Sequence, residues 1–296
     1  MIAYDFHFAC FAAWRLGVNQ PLRAIDSLAK RRPRKGTPSS ALLMTAMSNP
    51  LILAIETATR AGSVAVARGA EVLAHAVGDP SVSHSTNLIE TVDGLLQETG
   101  FTLADVDVFA VAVGPGSFTG LRIGLATVKA FAECNDRPIV GVSTLAAVAH
   151  ATGVAGDVVS LLPAGRGEVF AQLFSICDGV VKAKDDAAHL SPAEMLSKYG
   201  EGSDIQFAGD GTRKLVEYVE QSHVDIGDET ARRINSSANQ TGFAPLANSV
   251  AALALKDFRE GKSVKPEELH AVYVRPSDAE INEQWQQQKQ QSQAQT

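Results

Sequence analysis

The residues best placed for chemistry form one string, Gly114-Pro115-Gly116-Ser117-Phe118-Thr119-Gly120, between an apolar run at 106–113 and a helical pattern at 119–133. A strand, a tight loop and a helix N-terminus in that order present backbone N–H groups that suit an anion or a partner's carbonyl oxygens. Gly114, Gly116 and Gly120 permit positive φ or close backbone approach, Pro115 fixes one φ, and Thr119 is placed to cap the helix. No Gly-Lys-Ser/Thr ends the loop, so it is not a phosphate-cradling P-loop, and its spacing does not fit the dinucleotide fingerprint. The same glycines also serve tight strand-to-helix packing with no ligand at all.

Other reactive groups are scattered. The seven histidines, at 7, 75, 84, 150, 189, 223 and 270, include no i, i+4 pair and none beside clustered Cys or Asp, so no metal site is expected. A lone His84 fits a helix start or an interface hydrogen bond better than a ligand role, and Ser85 fits a cap better than a nucleophile because no general base is identifiable beside it. Arg122, one turn into a helix, and Arg166 and Glu168, in a tight hairpin, suit pairing with a partner. They equally suit surface ion pairs worth less than about 1 kcal/mol.

Composition narrows the classes. A chain of 296 residues, 45% hydrophobic, suffices for one large domain or two lobes with a real core. Cys10, Cys134 and Cys177 are odd in number and far apart, which argues against a disulfide framework and for a reducing, cytoplasmic setting. Residues 1–48 hold seven Lys or Arg against Asp5 and Asp26, a balance of +5, which leaves −12 for the other 248 residues of a chain whose total is −7. So acidic a body repels phosphate backbones and does not by itself supply the attraction that nucleic-acid binding relies on. The apolar stretch 2–16 is interrupted by Asp5, His7 and Arg15, so it is neither a secretory signal nor a membrane span. Lys30-Arg31-Arg32-Pro33-Arg34-Lys35 reads as a solvated linker or a nucleic-acid patch.

The elements that must position these residues become regular after Pro50. Residues 51–56, 63–68 and 71–77 read as a meander of strands with a tight turn at Gly69-Ala70, followed by a helix at 84–99, a strand at 106–113, a helix at 119–133, a strand at 138–142 and a helix at 143–151. The second half repeats the plan weakly. Strands at 158–162 and 168–176 flank Gly165-Arg166-Gly167, then come a helix at 192–198, a strand at 205–208, a helix at 212–220 capped by Thr212, a helix at 245–258 and a short strand at 271–274. Two similar α/β lobes follow, at 49–155 and 156–276, the second degenerate, with 1–48 and the Gln-rich 277–296 expected to be disordered. Met44 or Met47 would be the natural start. The helix at 119–133 carries a stripe of Leu121, Leu125, Val128 and Ala132, yet Ile123, Ala126, Ala130 and Phe131 leave little of its other side polar. Such a helix must be covered on more than one side, by sheet and neighbouring helix or by a partner's helix.

As a whole string, Gly-Pro-Gly-Ser-Phe-Thr-Gly-Leu-Arg-Ile-Gly at 114–124 closely resembles the signature of the bacterial TsaB (YeaZ) family. Leu53-Ala54-Ile55-Glu56-Thr57-Ala58-Thr59 is similar to that family's opening strand, His84-Ser85 to the start of its first helix, Gly165-Arg166-Gly167-Glu168-Val169-Phe170 to its second-lobe hairpin, and Tyr273-Val274-Arg275-Pro276-Ser277-Asp278-Ala279-Glu280 to its closing segment. The resemblance covers about residues 51–280. It implies the actin-like, sugar-kinase-like ATPase fold (RNase H-like) and a non-catalytic scaffold in building threonylcarbamoyladenosine on tRNA. The partners it implies are the catalytic paralogue TsaD, the ATPase TsaE, and a second copy of the chain in a homodimer; tRNA would be reached only through the complex, and a membrane not at all. The implied partner interface is helical, on His84, Ser85, Leu88, Val92, Leu95, Leu121, Arg122, Leu125 and Val128. Glu56 and Thr57 would make at most weak nucleotide contact, with no cofactor held tightly and ATP bound only in the assembled complex.

Two enzymatic alternatives remain. An ATP-dependent, kinase-like phosphotransferase of this fold would carry a carboxylate at the first strand-to-turn position of each lobe to hold Mg²⁺. Glu56 fills the first, one methylene longer than Asp, but Pro163 stands where family members usually show Asp. A metallopeptidase, suggested by older naming in the wider family, is opposed by the missing paired histidines.

Overall fold

A computed structural model describes residues 49–275 apart from 80, 82–83, 202–203 and 239–244, with the side chains of 84–86 also set aside. The segments 1–48 and 277–296, expected to be disordered, lie outside the described residues. The first sheet grows from β1 (Leu51–Glu56), all six residues of which are buried, as expected of a strand covered on both faces. β2 (Ser63–Arg68) runs antiparallel to β1 and β3 (Glu71–Val77) antiparallel to β2. After α1 (His84–Glu98), β4 (Val108–Gly114) lies parallel to β1; after α2 (Phe118–Asn135), β5 (Ile139–Ser143) lies parallel to β4. The order is β3-β2-β1-β4-β5.

The plan repeats beyond α3 (Thr144–Ala151). β6 (Gly156–Gly165) and β7 (Glu168–Cys177) form a long antiparallel hairpin. The third strand of this meander is broken: β8 (Val180–Ala183) pairs with the end of β7, and β9 (Ala188–Leu190) with its beginning. At the break the Asp185 carboxylate accepts hydrogen bonds from the Leu173 N–H (2.8 Å) and the Tyr199 hydroxyl (2.5 Å), standing in for the lost ladder. α4 (Pro192–Tyr199) leads to β10 (Ile205–Ala208), parallel to β6, and α5 (Thr212–Ser222) and α6 (Asp228–Ala238) follow. The second sheet thus also has five strands, β10-β6-β7-β8 with β9 beside β7: the first sheet's meander with its third strand split in two, and one parallel strand where the first sheet has two. The architecture is two α/β lobes of similar plan, as expected.

The lobes exchange helices. α3, from the first half of the chain, packs on β6, β7 and β8, while α7 (Leu246–Arg259), from the second, packs on β1, β2, β4 and β5. α3 and α7 also meet each other, with His150 Nδ1 3.0 Å from Ser249 Oγ, and the Ala247 N–H at the start of α7 donates to Ser63 Oγ at 3.0 Å. The sequence boundary at 155/156 separates the two sheets, but the packing crosses it.

Several local expectations need correction. Ser117, rather than Thr119, caps α2: its Oγ accepts from the Gly120 N–H at 3.2 Å, and the helix starts at Phe118. Gly211 precedes α5 without a side-chain cap, because the Thr212 hydroxyl turns back to the Gly209 carbonyl at 2.8 Å. Residues 271–274 are not a strand; one backbone bond, Val272 N–H to the Val113 carbonyl (2.8 Å), holds them beside β4. β8, β9 and α6 lacked a clear pattern in the sequence, being short or polar.

One contact sets how α2 sits on the first sheet. Thr57, just past β1, donates its hydroxyl to the Gly120 carbonyl at 2.7 Å in a buried setting. A Cβ at Gly120 would fall 1.9 Å from the Thr57 carbonyl oxygen, and one at Gly124 2.3 Å from Thr57 Oγ1. Neither position has room for alanine. Gly120→Ala should therefore lower stability by about 1–3 kcal/mol through overpacking. Thr57→Val should cost about 1–3 kcal/mol by stranding the Gly120 carbonyl. Urea unfolding midpoints of both variants check this; wild-type values would refute it. Burial lowers the His150 pKa below its usual 6.5. The folded protein then binds this proton less readily than the unfolded chain, so stability is lost as pH falls through about 6.5. Melting temperatures between pH 7.5 and 5.5 should drop more for wild type than for His150→Gln.

Candidate functional site

The signature loop is built into the strand–helix junction rather than left open to a ligand. The Ser117 N–H donates to the Ala58 carbonyl at 2.8 Å, and a Cβ on Gly116 would lie 2.6 Å from that same oxygen. Gly114 adopts φ +116, a region that favours glycine. Gly116 and Gly120 thus serve the close packing that the sequence left open as the alternative to anion binding. The loop still forms one wall of a space between the lobes. A cavity of about 260 Å³ is lined by Pro115, Gly116, Ser117, Phe118 and Leu121 from the first lobe, Pro163, Ala164, Gly165 and Phe170 from the second, and Val272, Tyr273, Val274 and Arg275 from the closing segment.

The closing segment is held from both sides. Arg275 Nη1 donates to the Ala164 carbonyl at 3.1 Å and lies 3.9 Å from Glu168, which pairs with His189 at 2.7 Å. Opposite, Phe118 and Tyr273 rings stand 5.1 Å apart, the Arg122 guanidinium covers the Phe118 ring at 3.8 Å, and Arg122 Nε donates to the Tyr273 hydroxyl at 3.4 Å. Arg122 and Glu168 therefore have partners within the chain. Pro163 is exposed and faces this cavity, on the loop side of the cleft.

A second interlobe cavity, of about 210 Å³, lies at the ends of β1, β6 and β10 and is lined by Glu56, Thr59, Ser63, Leu162, Gly209, Asp210 and Leu246 among others. Its first-lobe carboxylate is buried: Glu56 Oε1 accepts from the Thr59 N–H at 2.7 Å and Oε2 from the Thr59 hydroxyl at 2.8 Å. The second-lobe carboxylate here is Asp210, exposed and missed by sequence reasoning, which leaves it in the short link between the strand at 205–208 and the helix at 212–220. Thr57 turns the other way, its hydroxyl committed to Gly120. Among the described residues no group of three or more His, Cys, Asp or Glu could hold a metal ion, and no helix is long and apolar enough to cross a membrane.

The helical residues expected to meet a partner divide sharply. Leu88, Val92, Leu95, Leu121, Leu125 and Val128 are all buried in the core of the first lobe, Leu88 at 7% exposure and Val128 at 0%. They hold α1 and α2 to the sheet, so their apolar pattern reports the chain's own core. Of the expected set Arg122 is exposed; the side chains of His84 and Ser85 lie outside the described residues. The outer surface of the helix pair consists of Asn87, Glu90, Gly94 and Gln97 on α1 and Thr119, Arg122, Ala126 and Glu133 on α2, with Ile89, Ile123 and Ala130 half-buried.

Known proteins match this architecture along most of the described chain. A family model described as TsaD: tRNA N6-adenosine threonylcarbamoyltransferase matches residues 79–282. The tRNA threonylcarbamoyladenosine biosynthesis protein TsaB of Escherichia coli is 31% identical over 76% of this chain and 94% of its own length. The Bacillus subtilis protein of the same description is 28% identical over 65% of this chain and 85% of its own. By contrast, a tRNA N6-adenosine threonylcarbamoyltransferase of Sphingopyxis alaskensis is 41% identical over 21% of this chain and 18% of its own. The solved structure of YeaZ from Pseudomonas aeruginosa superposes with a TM-score of 0.60 at 28% identity, covering 76% of this chain and 99% of that one. A two-lobed fold, a signature loop packed on the first strand's turn and near full-length likeness to these relatives converge on one assignment: the chain belongs to the TsaB (YeaZ) family of tRNA threonylcarbamoyladenosine biosynthesis proteins.

Proposed function

We propose that this chain acts in tRNA threonylcarbamoyladenosine synthesis as a non-catalytic subunit that binds the threonylcarbamoyltransferase TsaD and holds it in its working arrangement. The outer surface of α1 and α2 supports this reading most. It includes the small side chains Gly94, Ala126 and Ala130, the half-buried Ile89 and Ile123, and the charged Glu90, Arg122 and Glu133. Small residues let a second helix approach closely, and apolar residues together with charged ones are the usual composition of a protein interface. The same surface would serve a homodimer in the absence of TsaD. TsaE and tRNA join through the complex, since a body of charge −12 does not attract a phosphate backbone.

In the cleft, Glu56 is already engaged by Thr59; Pro163, which stands where family members usually show Asp, faces the other cavity, and the second-lobe carboxylate that shares the Glu56 cavity is Asp210. In this proposal ATP binds only in the assembled complex.

Ala126→Arg should leave the fold intact, because Ala126 is exposed, and weaken binding to TsaD by about tenfold or more by placing a long charged side chain at the centre of the contact. Affinity measured by calorimetry on the folded variant checks it; wild-type affinity would move the interface elsewhere. Val128→Asp should instead abolish folding, since it puts a carboxylate in the core. The enzymatic alternative is tested by ATP turnover of the purified chain with Mg²⁺. The proposal expects none above background, and turnover at ordinary enzyme rates that Glu56→Gln abolishes would overturn it.

A further inference from the structure

Arg122 is an exposed guanidinium where the outer face of α2 meets the closing segment, one helical turn before Ala126 on the same face. Its side chain is held rather than left to swing. The guanidinium lies over the Phe118 ring at 3.8 Å, Nε donates to the Tyr273 hydroxyl at 3.4 Å, and the Tyr273 ring stands 5.1 Å from that of Phe118. A guanidinium stacked on a ring spends its face there and keeps its edge for hydrogen bonds. That edge, Nη1 and Nη2, has no hydrogen-bond acceptor among the described residues.

Other arginines of the chain find acids. Arg68 lies 3.8 Å from Asp107, Arg232 pairs with Glu229 and Arg275 lies 3.9 Å from Glu168, whereas no described carboxylate comes within 4 Å of Arg122. Residues 49–296 carry a balance of −12, so the chain has carboxylates to spare and places none of the described ones here. Apolar surface adjoins the guanidinium on both sides. Val272 and Tyr273 are 49% and 47% exposed in the closing segment, and Ile123 is half-buried beside Ala126 on α2. Tyr and Arg are the residue types that most often dominate binding energy, and side chains already ordered lose little freedom on docking.

Resting on the reading that this face binds TsaD, we propose that the TsaD segment docked here carries a carboxylate that takes Nη1 and Nη2 of Arg122 as a bidentate pair, beside an apolar side chain that packs on Tyr273 and Val272. The acidic body repels carboxylates elsewhere, so this pair also sets the register of docking. The closing segment, 151 residues from Arg122 at Tyr273, is then part of the interface.

Calorimetry of TsaD against the full chain at low and high salt tests this. The wild-type chain should bind, more weakly at high salt. Arg122→Gln should weaken binding about tenfold or more and flatten its salt dependence, while Arg122→Lys, which keeps the charge and loses the fork, should retain the salt dependence and recover only part of the affinity. Tyr273→Ala should weaken binding at both salt concentrations, and all three variants should keep native circular dichroism. Wild-type affinity in Arg122→Gln would overturn the proposal and leave the TsaD reading standing. So would weakened binding with an unchanged salt dependence, which would reduce Arg122 to a support for Phe118 and Tyr273. Absence of binding by the wild-type chain would instead overturn the TsaD reading, and the proposal with it.

Discussion

The close approach of α2 to the turn after β1 fixes the rest of the first lobe. Gly120 and Gly124 present no side chain to Thr57, and the Thr57 hydroxyl fills the space by donating to the Gly120 carbonyl. With Ser117 capping the helix and donating its own N–H to Ala58, the N-terminus of α2 has two hydrogen bonds to the turn of Thr57 and Ala58. A helix anchored so tightly at one end has its roll about its own axis determined. That roll sends Leu121, Leu125 and Val128 into the core and leaves Arg122 and Ala126 outside. The glycines therefore specify which face of α2 the solvent or a partner meets, although none of them needs to touch a ligand.

Exchange of helices between the lobes turns two sheets into one body. Were α3 to cover the first sheet and α7 the second, the lobes would be joined by a linker and free to rotate. Instead each sheet is covered by a helix from the other half of the chain, and the two helices meet at His150 and Ser249. Opening the cleft would separate packed apolar surface, which costs in proportion to the area exposed. The cavities at the two sides of the cleft are accordingly bounded by side chains with fixed partners, Glu56 on one side and Arg275 on the other.

Much of this was legible in the sequence where one pattern governs one element. β1, β2, β4 and α2 have strong periodicity or unbroken apolar runs, and their boundaries follow within a residue or two. The broken strand at 180–190 was not legible, because what interrupts it is a side-chain carboxylate reaching a backbone N–H twelve residues away. The split between core and surface on the helices was misread for a related reason. An apolar stripe states that a helix face is covered and is silent about what covers it, so Leu88 and Val128 served equally well as core or as interface until the sheet beneath them was placed. Asp210 escaped notice since its neighbour in the cleft, Glu56, is more than 150 residues away in the chain.

The placement of α2 also joins the interlobe cavity and the proposed docking surface through one rigid element. Its first turn, with Phe118 and Arg122, borders the cavity, and the exposed side chains of its middle turns, such as Ala126, look outward. A helix pinned at Gly120 and buried at Val128 does not bend between those points, so a ligand at one end reaches the other only by moving the whole helix against Thr57. A methyl group at Gly120 would fall 1.9 Å from the Thr57 carbonyl oxygen, so the helix already lies close against that turn and resists moving toward it. Occupancy of the cavity and docking on the outer face should then be energetically independent unless the occupant touches Arg122, which belongs to both surfaces. Coupling requires a differential contact with two states, and here Arg122 is the side chain positioned to supply one.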